Sequence, residues 1–252
     1  MSDVDMSDAA RTAGAAMEKA VATFMLHPET MTESIAAGYQ NPLAGYVVGR
    51  GGVLGEASGA TVASVFMVFE PTSLGAMWDE GVAVHGAGRA AEIYWEQTAN
   101  FGRKYLSGAD GLDRLAALGE KVIAAAPGAG LPLYAGWRAM PLAQDAPARA
   151  LQVMFVLREL RAAVHFNVLS LSGITPVEAH MLNKGPEYTS MFGWPQPFAD
   201  GADKKDRLAE VERLTNGRMT DLFTEALEPE EAVELARLSQ AALATLVSNV
   251  PG

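Results

Sequence analysis

Apolar and polar positions recur with a helical period along almost the whole chain. Residues 7–26, "SDAARTAGAAMEKAVATFML", repeat apolar side chains every three to four positions and stop before Pro28, the pattern of an amphipathic helix. "PETMTESIAAG" (28–38) predicts a shorter helix ending at Gly38. "NPLAGYVVGR" (41–50) offers Asn41 as a cap and Pro42 at the first helical position, where its missing N–H is no loss. Gly51, Gly52 and Gly55 then break the pattern. "SGATVASVFMVF" (58–69) suits a buried helix or a buried strand, because a continuous apolar run carries no period. Helical neighbours and the lack of a partner strand favour the helix, running through Phe69.

Further helices are expected over 72–84, 88–106 and 112–126, the last ended by "PGAG", and around 132–140, ahead of Pro141. A long central helix covers 146–173. Thr175 and Glu178 form a capping box at the start of another, 175–185. "GWPQPFADGADKK" (193–205) reads as a linker before two amphipathic helices, 206–227 and 229–250. The βαβ alternation of a doubly wound sheet is absent, so the fold class is mainly α.

Composition sharpens this picture. Of 252 residues, 49% are hydrophobic and 19% charged, enough to bury a sizeable core and too apolar for disorder. With 25 glycines and many alanines, the helices are expected to pack closely through small side chains. The formal charge of −11 argues against nucleic acid as a partner, since affinity for it comes largely from neutralising phosphates; it also repels anionic membrane surfaces. The absence of cysteine excludes disulfides, zinc–thiolate sites, iron–sulfur clusters and a thiol nucleophile. "MSDVDMSDAA" shows no signal peptide and no uncharged apolar run reaches about 18 residues, so no membrane partner and a cytoplasmic location are expected.

Candidate chemistry concentrates in "LRELRAAVHFNVLSL" (157–171). At about 100° per residue, Arg158, Arg161 and His165 fall within roughly 60° of one another. Glu159 lies beside that strip, and Phe155, Val156, Ala163, Phe166 and Leu169 oppose it. The strip can face water, form a buried ion network, or line a ligand pocket. A buried unpaired arginine costs several kcal/mol, so burial would require a carboxylate or an anionic guest.

Other motifs carry less. "GRGGVLG" (49–55) lacks the Lys-Ser/Thr of a phosphate loop, and "GAGRAA" (86–91) lacks the acidic partner of a dinucleotide fingerprint. His27, His85, His165 and His180 include no i, i+4 pair, so no metal site is assigned. No Gly-x-Ser-x-Gly elbow occurs, and no cofactor is implied. Glu92 and Glu96, one turn apart, fit a solvated face. Trp137 beside Arg138 could hold a planar anionic or aromatic ligand by stacking and charge. The remaining aromatic and methionine positions read as core.

Four segments occur together in a telling order: "GYVVGRGGVLG" (45–55), "VFMVFEPTSLGAMW" (65–78), "LPLYAGWRAMP" (131–141) and "LRELRAAVHF" (157–166). In order and spacing the chain resembles the actinobacterial SalK-like helix-turn-helix family over roughly residues 15–185. The resemblance matches Arg50, Arg138, Arg158, Glu159, Arg161 and His165 to that family's motif positions, and Glu18 to a glutamate of its first helix. The chain departs at Val21 and Leu160, where the family has histidine, at Trp137 in place of asparagine, and at Ala162 and Ala163 in place of Gly-Asp. The resemblance implies a helical ligand-pocket domain over 1–173, with a degenerate winged-helix-like region, 174–252, packed on it. It also implies a link to natural-product metabolism.

The expected function is therefore binding of, or an enzyme's action on, an anionic or aromatic metabolite. Arg50, Phe69, Trp137, Arg138, Arg158 and Arg161 are the expected ligand contacts. His165 and Glu159 are the expected acid–base pair, because an imidazole pKa is moved easily by such neighbours. The alternative is a ligand-responsive transcription regulator, for which Lys204, Lys205, Arg207, Arg213 and Arg218 supply a basic cluster interleaved with Asp203, Asp206, Glu210 and Glu212. A third reading is a scaffold that forms a homodimer through the apolar face of "AVELARLSQAALATLV" (232–247).

Overall fold

The computed structural model describes residues 5–250, and within them the chain is helical with no strand. The first helix, α1 (Met6–Leu26), is capped by the Asp5 carboxylate, which accepts from the amides of Ser7 and Asp8. α2 (Pro28–Ala36) and α3 (Pro42–Gly51) follow, with Asn41 capping α3 as expected. α4 (Gly59–Phe66), α5 (Pro71–His85), α6 (Ala87–Tyr105) and α7 (Leu112–Ala125) lead to the short α8 (Pro132–Trp137) and the 26-residue α9 (Ala146–Leu171). α10 (Pro176–Lys184) and α11 (Pro186–Met191) precede the long closing pair α12 (Lys205–Ala226) and α13 (Pro229–Asn249). Proline opens seven of the thirteen α-helices, where its fixed φ favours the first turn. The capping box of Thr175 and Glu178 is formed.

α9 is the axis of the molecule. α1, α6, α7, α8 and α12 all pack on it, and residues 151–157 are buried without interruption, Gln152 being the one polar side chain among them. α1 runs along α13 and also touches α12. One core therefore joins Phe24, Tyr94, Trp137 and Phe155 to Leu222, Phe223, Leu235 and Leu246. A smaller apolar cluster, Leu169, Ile174, Ala179 and Val211, fastens α10 to the end of α9 and to α12.

Two expectations need revision. α4 ends at Phe66, because Met67 turns to φ 54°, a region in which a side chain is rarely tolerated. α11 was not foreseen as a helix. The 174–250 portion is helical and contains no hairpin, with α12 and α13 making up most of it.

Candidate functional site

Tyr46 and Arg50 lie one turn apart on α3. Arg50 is 2% exposed, and its partner stands across the interior on α9: Nε and Nη2 each donate to Glu159 at 2.9 Å, to Oε1 and Oε2 respectively. The planar fork thus meets the carboxylate with two parallel bonds. Burial opposes the Arg50 cation, but Glu159 more than offsets it, so the pKa lies above the ordinary value. Burial likewise raises the pKa of Glu159, and Arg50 and then Arg158 outweigh it, leaving a carboxyl held below its ordinary range. Phe66 lies under the Arg50 guanidinium at 4.5 Å.

Arg158 completes the group. Its Nη1 donates to Glu159 Oε1 at 2.7 Å, and its Nε and Nη2 have no protein partner among the described residues. Two guanidinium groups therefore share one carboxylate, and the cluster keeps one positive charge. The half-buried Arg158 side chain borders a cavity of about 500 Å³, within the size range of small-molecule sites.

Arg50, Phe69, Arg158, Arg161 and His165 all line that cavity, so five of the eight expected site residues meet there. Arg161 is neutralised by acids of neighbouring helices: Nη2 donates to Glu212 Oε2 at 2.8 Å, and Nη1 to Glu18 Oε2 at 3.4 Å. His165 Nδ1 stands 3.5 Å from Glu212 and 3.4 Å from the Thr215 hydroxyl. Burial lowers its pKa, a trend that Glu212 only partly reverses. The opposite wall comes from α10 and α11. His180, on α10, has a buried Nδ1 without a partner, and its pKa is also lowered by burial. The Phe192 ring lies 4.6 Å from His180 and 4.2 Å from Phe69.

This wall is attached to the body at several points. Trp194 Nε1 donates to the Val68 carbonyl at 2.9 Å, and the Glu70 amide donates to Phe192 O at 2.9 Å. Lys204 binds Glu178, whose carboxyl is pulled down to about 2, first by that bond and then by the Thr175 amide.

Three expected residues lie elsewhere. Trp137 is fully buried among Tyr94, Trp95 and Phe155, and its indole N–H donates to the Arg50 carbonyl at 3.1 Å. It supports α3 from behind. Arg138 donates to the Ala126 carbonyl, and Trp137 and Arg138 together border a separate hollow of about 430 Å³. Glu159 sits behind the arginines, and its back faces a third hollow of about 310 Å³. Arg50, Ala162 and Phe166 line both this third hollow and the main cavity.

Both Glu159 oxygens are engaged by arginines, and a carboxyl held ionised below its ordinary range is a weak proton acceptor at neutral pH. The group is suited to fixing charge. Sequence reasoning missed Tyr46, His180, Phe192 and Glu212 as cavity residues. The i, i+4 spacing of Tyr46 and Arg50 could have revealed the first. Glu212 had no such signal, because its place depends on how α12 crosses α9. Among the described residues no three metal-capable side chains cluster, and no helix is long and apolar enough to cross a membrane.

The model of a helix-turn-helix family matches residues 10–248, nearly the whole chain, and the protein belongs to that family. Neither a curated protein nor a solved structure matches it.

Proposed function

Starting from a helix-turn-helix family member with an arginine-lined cavity, we propose that the protein binds an anionic small molecule with an aromatic or otherwise planar body. The supporting observation is Arg158: a half-buried guanidinium on the cavity wall whose only protein acceptor among the described residues is already bound by Arg50. Such a cation gains by taking an anion into its open N–H groups. Tyr46, Phe69 and Phe192 offer aromatic side chains beside it. The finer resemblance to SalK-like proteins is consistent with a natural-product intermediate as the guest. The polar groups described above are fitted to holding a ligand, and the reading requires no proton transfer by Glu159.

The test is a thermal-shift screen of aryl carboxylates against the wild type and Arg158→Met. At a ligand concentration about 100-fold above Kd, binding should raise the midpoint by about 5–10 °C, and Arg158→Met should abolish the rise. An equal rise in both proteins would contradict the proposal.

A second reading, a ligand-responsive regulator, is favoured by the family itself. Against it, four cations of the expected basic cluster are already engaged: Lys204 by Glu178, Arg207 by the Ser172 carbonyl, Arg213 by Glu210, and Arg218 by Asp221 and Glu225. We expect no retention of duplex DNA at about 50 mM salt, where phosphate contacts are strongest. A salt-sensitive complex in a gel-shift assay would favour the regulator.

A further inference from the structure

We infer that the guest carries a single negative charge and that the Tyr46 phenol is the second donor to it; this rests on the binding-site reading above. Tyr46 lines the same cavity as Arg158. Its hydroxyl oxygen accepts from Arg50 Nη1 at 3.3 Å, so its own O–H is left to donate, and no acceptor for it is present among the described residues. The Arg50–Glu159 pair therefore carries one donor at each end: the phenol on its cationic partner and the Arg158 guanidinium on its anionic partner. An oxyanion with two oxygens can take both.

Charge around the cavity fixes the valence. Arg50 and Arg158 set two positive charges against the one negative charge of Glu159, leaving one positive charge on that wall. Farther along α9, Arg161 faces two carboxylates, Glu18 and Glu212, which leaves one negative charge there. Lys184 stands on the α10 side, and the two buried histidines favour their neutral forms. A monoanion neutralises the Arg158 wall completely. A dianion would draw its second counter-charge only from the exposed, water-screened Lys184 and would meet the like charges of Glu18 and Glu212. The Tyr46 ring stacks on Phe69 with centroids 6.2 Å apart, so a flat body attached to the anion has a surface to lie on. The ligand class is an aryl carboxylate or a comparable singly charged enolate.

The experiment is fluorescence titration of the full chain at pH 8 with 2-naphthoate, 2-naphthyl phosphate (a dianion at that pH) and neutral 2-naphthamide. Naphthoate should bind at least tenfold more tightly than either of the others. Tyr46→Phe should weaken naphthoate about tenfold, as expected for losing a hydrogen bond to a charged group, and leave naphthamide unchanged. Arg158→Met should erase the advantage of naphthoate over naphthamide. Naphthyl phosphate binding as tightly as naphthoate overturns the single-charge assignment. Undiminished naphthoate affinity in Tyr46→Phe, or an equal loss for naphthamide, overturns the role of the phenol. Either of those results leaves the Arg158 pocket standing, provided Arg158→Met still weakens naphthoate. Naphthoate binding indifferent to Arg158→Met, or no binding of any probe, overturns both.

Discussion

Arg50 is tolerated in the interior because Glu159 meets it with two hydrogen bonds and because both groups stay ionised together. Removing the carboxylate leaves two guanidinium groups facing each other without a counter-charge. Glu159→Gln should therefore cost about 3–5 kcal/mol in urea unfolding; a loss below about 1 kcal/mol would show that the pair is loosely solvated. The pH dependence has a definite sign. Glu159 is lowered from 4.5 and His165 and His180 from 6.5 in the folded chain. Each contributes stability that is fully present above its unfolded value and lost as pH falls through its folded value. Stability should begin to fall below about pH 6.5 as the histidines take up protons, and fall again below about 4.5. Glu159→Gln should reduce the second decline, which Glu178 shares, and leave the first unchanged. Part of this was legible at the residue scale: the charges inside an apolar helix marked a strip for which a buried ion network was one of three readings. Their pairing was not, because Arg50 and Glu159 lie 109 residues apart and nothing in local spacing brings them together.

Element by element, helices were the readable level, since period and caps are local properties. The exceptions are places where a distant contact decides. Residues 58–69 look like one continuous helix, yet Met67 turns the chain at φ 54°. The turn aims the Val68 carbonyl at Trp194 and sets Phe69 against Phe192, which a helix continued through these residues would forgo. Close packing through small side chains is also borne out. A Cβ on Gly102 would lie 2.5 Å from the Pro147 carbonyl oxygen and 3.1 Å from the Ala148 Cα, both backbone atoms that yield only if α6 moves away from α9. Although alanine is the better helix former by about 1 kcal/mol, Gly102→Ala should destabilise by about 1–3 kcal/mol. A calorimetric midpoint at or above that of the wild type would show that the two helices separate at no cost.

Across the whole molecule, the mainly α class followed from the absence of any alternating pattern, and the match to a helix-turn-helix family covers nearly the full length. In the C-terminal portion α12 and α13 are long helices that pack on α1, α7 and α9. The linker-like stretch from Gly193 to Lys205 contributes Trp194 and Lys204 to the fastening of α10 and α11; proline and glycine there marked irregular backbone, not a loose connection.

Arg50, Ala162 and Phe166 each border two hollows, so at these positions the partition between them is only one side chain thick. A bulkier residue at 162 would shrink both compartments together, while shortening Phe166 would open a passage between them without displacing a helix. On the proposed ligand-binding reading, single substitutions on one face of α9 would adjust the length of guest admitted, independently of the charges at Arg158.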